Sequence, residues 1–78
     1  MQWGKVVGIN VRRLREARGL TQEKLAHDAG INMRYLGTLE RRGSNISLDV
    51  LGRLAAALKV HPAELFRPVA TSARGQVE

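Results

Sequence analysis

Apolar side chains recur along this chain at three- and four-residue intervals, and nowhere do they alternate in a strand-like run. Val7, Val11 and Leu14, with Ala17 near the same line, keep an i, i+4, i+7 stripe, the mark of a half-buried helix. That stripe predicts a first helix over about 5–18. Arg12, Arg13, Arg15 and Arg18 crowd its later turns, where positive charge suits a helix C-terminus, and Gly19 falls where it should stop. Leu20 then drops into the core. Thr21 can cap a second helix over about 22–28, with Leu25 and Ala26 on its inner face. Gly30 sits where that helix must turn, because glycine takes a positive φ at no steric cost. Asn32 can cap a third helix over about 33–41, with Leu36 and Leu39 inward and Ile31 packed down onto the turn. Ser47 caps a fourth, with Asp49 in its first turn and Leu51, Leu54, Ala55 and Leu58 as its buried stripe. Pro62 opens a short fifth helix bearing Leu65 and Phe66, and Pro68 ends it. Met1 to Gly4 read as a short arm, in which Trp3 either packs on the base of the first helix or reaches a partner. Residues 69–78 are mostly small or polar and read as a flexible tail, leaving one domain over 1–68.

The second and third helices organise the rest. Two helices joined by a turn of about 3–4 residues form a helix-turn-helix, whose second helix enters a DNA major groove. The charge supports this: 13 Lys+Arg against 7 Asp+Glu give a net +6, which suits a polyanionic partner. With 78 residues, the chain buries only a modest core, so marginal stability or dimerisation is expected. The absence of cysteine removes disulfides and thiolate zinc sites together. His27 and His61 have no companion at metal-ligand spacing. Nothing resembles a nucleophile elbow, a phosphate loop or a metal motif, so no enzyme, cofactor or small-molecule ligand is expected. No run approaches the ~20 apolar residues of a membrane span, and no secretory signal is visible; a cytoplasmic protein without a membrane partner is the expectation.

With Leu36 and Leu39 inward, the third helix presents Met33, Arg34, Gly37, Thr38 and Arg41 outward, as the candidate base-reading set. Arg34 lies near the N-terminal end, the part that reaches base edges. Arginine pairs bidentately with guanine O6 and N7, with about 1–3 kcal/mol of discrimination. Thr38 is placed for a thymine methyl or a base edge, and Met33 for apolar contact only. Gly37 weakens the helix relative to alanine, so it allows close approach either to DNA or to the second helix. Arg41, Arg42, Ser44 and Asn45 can grip the phosphate backbone by charge and main-chain amides; Arg41 and Arg42 also suit the helix C-terminus. Val60, Phe66 and Val69 offer more apolar surface than so small a domain readily covers, and form the candidate dimer face.

Leu20-Thr21-Gln22 with Leu25-Ala26, then Ala29-Gly30-Ile31, then Leu36 with Leu39-Glu40-Arg41, then Leu51, Leu54-Ala55, Leu58 and Val60 resemble the Cro/CI-type helix-turn-helix regulators. The likeness covers about 7–66. Tyr35-Leu36, Leu39-Glu40-Arg41 and Asn45-Ile46-Ser47 look within that family like the controller proteins of restriction–modification systems. The resemblance implies an all-α, compact five-helix lambda-repressor-like DNA-binding domain, acting as a homodimer on double-stranded DNA at a near-palindromic operator. It implies that Gln22 donates to a backbone phosphate, and that the Tyr35 hydroxyl does likewise unless the ring is half-buried beside the second helix. It also implies a structural ion pair between Glu40 and Arg15. At Met33 the family more often carries a polar residue. Antitoxins of toxin–antitoxin pairs share much of the pattern, which makes a protein-binding partner the alternative function. With no effector domain in view, regulation through the monomer–dimer equilibrium is expected.

Overall fold

The computed structural model describes residues 2–69. Four α-helices, α1 (Trp3–Ala17), α2 (Gln22–Ala29), α3 (Met33–Arg42) and α4 (Leu48–Leu58), are followed by a 3₁₀ turn at Pro62–Phe66. Met1 of the expected arm and all of the expected tail after Val69 lie outside the described residues.

Local chemistry sets most helix starts. Thr21 Oγ1 accepts from the Lys24 amide at 3.0 Å, Asn32 Oδ1 from Arg34 and Tyr35 at 2.7 and 3.2 Å, and Ser47 Oγ from Val50 at 3.1 Å. Each satisfies amides that a helix leaves without an internal partner. Gly30 closes α2 at φ 69°, and the Ile31 amide returns to the Ala26 carbonyl at 2.9 Å. Lys59 makes the same left-handed turn after α4, at φ 60° and ψ 42°. A side chain there costs roughly 1–2 kcal/mol. Lys59→Gly is therefore expected to add about 1 kcal/mol of stability once the extra freedom of glycine in the unfolded chain is subtracted. A lowered melting temperature would mean that the lysine stem contributes more than the strain removes.

Two expectations are corrected. The fifth helix is a single 3₁₀ turn, not an α-helix. Pro62 and Pro68 bracket too few residues for an i→i+4 ladder, so the Glu64 amide reaches back only to the His61 carbonyl, at 2.9 Å. The expected arm is also helical from Trp3 onward. The Gln2 carbonyl accepts from Lys5 and Val6, and the Trp3 ring meets Phe66 edge-on at 5.8 Å. Gly4 and Gly8, one turn apart, make that helix possible in this place. A Cβ on Gly4 would strike the Ser44 main chain, and one on Gly8 would fall on the Leu39 carbonyl oxygen.

The core runs through all elements: Val7, Val11 and Leu14 of α1, Leu25 of α2, Leu36 and Leu39 of α3, Leu51, Leu54 and Leu58 of α4, and Leu65 of the C-terminal turn. Asn10 is a polar residue in the buried stripe of α1, and sequence reading passes over it. Its Nδ2 donates to the carbonyls of Leu65 and Arg67 at 3.0 and 2.8 Å, and its Oδ1 accepts from Arg13 at 3.2 Å. Both amide hydrogens are used, which clamps the C-terminal turn to α1.

Candidate nucleic-acid interface

α3 lies on α1 and α2 by its Leu36–Leu39 face, and a buried polar latch completes the seat. The Glu40 side chain is 2% exposed and that of Arg15 11%. Arg15 Nε and Nη2 donate to the two Glu40 oxygens at 2.8 and 3.1 Å, and Arg15 Nη1 donates to the Leu20 carbonyl at 2.7 Å. Gln22 Nε2 adds a third bond to the carboxylate at 3.0 Å. A fork-to-carboxylate pair of this kind fixes orientation as well as distance. Hydrogen bonding to Glu40 raises Arg15 above its already high ordinary pKa, so the arginine keeps its charge at any physiological pH. The latch joins the end of α1, the start of α2 and the last turn of α3. Arg53 of α4 secures the turn between α2 and α3 by donating to the Gly30 carbonyl at 3.2 Å.

The outward side of α3 is cationic. Arg34, Arg41 and Arg42 are exposed, and none has a carboxylate partner among the described residues. Elsewhere among the described residues, Arg12, Lys24, Arg53 and Arg67 each pair with a carboxylate three or four residues away, while Arg13 and Arg18 do not. Met33 is 51% exposed at the N-terminal end, and Thr38 is half-buried one turn on.

Gly37 departs from the expected outward set: it is buried. The Gln22 side chain, drawn inward by Glu40, and the Arg41 guanidinium lie over it. A Cβ there would meet Gln22 Oε1 and Arg41 Nη1 at 3.6 Å, with nothing else beyond its own helix within 4 Å. Those are ordinary contacts, so a close approach of α2 does not account for glycine here.

Three of the phosphate candidates, Gln22, Tyr35 and Ser44, are likewise engaged within the protein. One amide hydrogen of Gln22 is committed to Glu40, which leaves the second for a ligand. The Tyr35 ring is half-buried, and its hydroxyl donates to the Asn45 carbonyl at 3.2 Å. Ser44 Oγ donates to the same carbonyl at 3.3 Å. The two hydroxyls thus shape the loop that follows α3, while Asn45 itself is exposed.

Of the expected dimer residues, Val60 is half-buried against the core, Val69 is half-buried and Phe66 is exposed. Phe66 shares a groove with Trp3, Ile46, Leu48 and Leu51. Leu48 is 82% exposed. Sequence reading misses it because a leucine just after an N-cap looks like the start of an inward stripe.

No helix among the described residues is long and apolar enough to cross a membrane.

These features define a helix-turn-helix domain with its second helix presented for contact, and the comparisons place it. The helix-turn-helix family model matches residues 11–65. The chain is 43% identical over 68 residues to an uncharacterized HTH-type transcriptional regulator, y4dJ, of Sinorhizobium fredii, covering 87% of this chain and 88% of that one. The crystal structure of the restriction–modification controller protein C.AhdI from Aeromonas hydrophila aligns with a TM-score of 0.75 at 44% identity, over 80% of this chain and 94% of that one. That of the hypothetical transcription factor NHTF from Neisseria aligns with a TM-score of 0.82 at 32% identity, over 94% and 82%. The chain belongs to the Cro/CI-type helix-turn-helix family of DNA-binding transcriptional regulators.

Proposed function

We propose that this chain works as a homodimeric controller-type regulator that binds double-stranded DNA at a near-palindromic operator. The observation that carries the reading is the outer side of α3, where three arginines without carboxylate partners stand on a helix whose back is fixed by a buried ion pair. Arg34, Thr38 and Arg41 read base edges. Arg42, the remaining amide hydrogen of Gln22 and the main chain around Ser44 and Asn45 hold phosphates. A bound backbone can also draw the Tyr35 and Ser44 hydroxyls away from the Asn45 carbonyl. The likeness to C.AhdI supports the controller role.

One recognition helix reads only a few base pairs. A two-fold dimer sets two of them about 34–36 Å apart in successive major grooves. The exposed apolar side chains of Trp3, Leu48 and Phe66 around one groove offer the surface that a second copy would cover. In this reading Val60 serves the core and the interface shifts towards Leu48 and Phe66.

Binding-site selection from a random duplex pool, at one fixed salt concentration, tests the proposal, because phosphate contacts make affinity strongly salt-dependent. The wild type is expected to select a two-fold symmetric site. Arg34→Ala is expected to relax one position in each half and to cost about 1–3 kcal/mol per half-site. Purely salt-sensitive binding with no enriched sequence would overturn the reading.

A further inference from the structure

Ahead of Arg34, the N-terminal end of α3 offers base edges little side-chain hydrogen-bonding capacity. Asn32 precedes it, but its Oδ1 is taken by the Arg34 and Tyr35 amides. The bidentate mode by which asparagine reads adenine needs that oxygen and the amide nitrogen together, so Asn32 cannot use it without uncapping the helix. The next residue, Met33, has no side-chain donor. It is 51% exposed, takes no part in the core cluster and stands beside the exposed Arg34. The thioether is flexible and polarisable, suited to cover an irregular apolar group.

One apolar group is displayed on base edges in the major groove: the C5-methyl of thymine, beside an O4 acceptor. We propose that Met33 reads a thymine by packing its side chain on that methyl group, next to the base read by Arg34. This rests on the DNA-reading function proposed above. A cytosine carrying a C5-methyl presents the same apolar surface, whereas unmodified cytosine or uracil does not. The contact selects by the presence of a methyl group, and the flanking arginine supplies the hydrogen bonds that Met33 cannot.

The test uses the full chain and the duplex it selects. Each selected thymine is replaced singly by deoxyuridine, which deletes only the methyl. At one thymine per half-site the wild type is expected to weaken by roughly fourfold, the value of one buried methyl-sized group. Met33→Ala, which removes an exposed side chain and is checked for unchanged folding by circular dichroism, is expected to bind the thymine and deoxyuridine duplexes equally. With wild type, 5-methylcytosine at that position should bind better than cytosine. If no deoxyuridine matters, or if the loss persists undiminished in Met33→Ala, the methyl-reading role is wrong while sequence-specific binding stands. If no duplex is selected at all, the DNA-reading function falls, and this inference with it.

Discussion

Glu40→Ala is expected to lower the melting temperature of this domain far more than removal of any arginine on the outer side of α3. The carboxylate is buried and accepts from Arg15 Nε, Arg15 Nη2 and Gln22 Nε2. Its loss leaves a guanidinium 11% exposed, with the Leu20 carbonyl as its remaining strong acceptor. Breaking one side of a buried pair costs on the order of 3–5 kcal/mol, because the other charge stays desolvated. A domain of this size has a total stability of roughly 4–12 kcal/mol, so the loss takes about a quarter of it at the least and should lower the melting temperature by more than about 10 °C. Thermal denaturation followed by circular dichroism measures this, and an unchanged midpoint would sink the argument. Replacing both partners by apolar residues, as in Arg15→Met with Glu40→Leu, is expected to recover much of the loss, because no unpaired charge then remains. That double variant would still free the Gln22 amide and the Leu20 carbonyl.

Gly8→Ala is the second large effect. Alanine normally stabilises a helix interior by about 1 kcal/mol over glycine. Here the new Cβ would fall on the Leu39 carbonyl oxygen, a main-chain atom that cannot swing aside. Separating α1 from α3 loosens the contact that Val7, Val11, Leu36 and Leu39 share. Overpacking of this kind costs about 1–3 kcal/mol, and the backbone obstacle puts this case at the upper end. Gly52 in α4 is the matched control, since a Cβ there meets nothing within 4 Å. Gly52→Ala should raise stability by about 1 kcal/mol, so the two substitutions shift the urea midpoint in opposite directions. A shift of the same sign in both would show that α1 and α3 are not seated as described.

Much of the fold is readable because it is local. Thr21, Asn32 and Ser47 cap helices through bonds to amides two or three residues on. Gly30 turns the chain by its own conformational freedom, and the leucine stripes follow from helical spacing alone. Arg15 and Glu40 lie too far apart in sequence for spacing to connect them, and only the family resemblance suggests the pair. The exposed arginines of α3 are legible as outward positions, because the leucines between them must face in. Gly37 is not, because its burial comes from two side chains, that of Arg41 and that of Gln22, which is bonded to Glu40. Nor is Tyr35, whose hydroxyl finds a carbonyl ten residues further on.

The sequence by itself therefore determined the helices, their caps, their inner faces and the cationic outer side of α3, since each depends on neighbours within about one turn. The tertiary structure decided the rest. It drew Trp3 into α1, held the last segment to a single turn clamped by Asn10, buried Gly37 and left Leu48 in the open. Each of these depends on what another helix brings to the same point in space, where a carbonyl oxygen or an amide from a distant residue outweighs local preference.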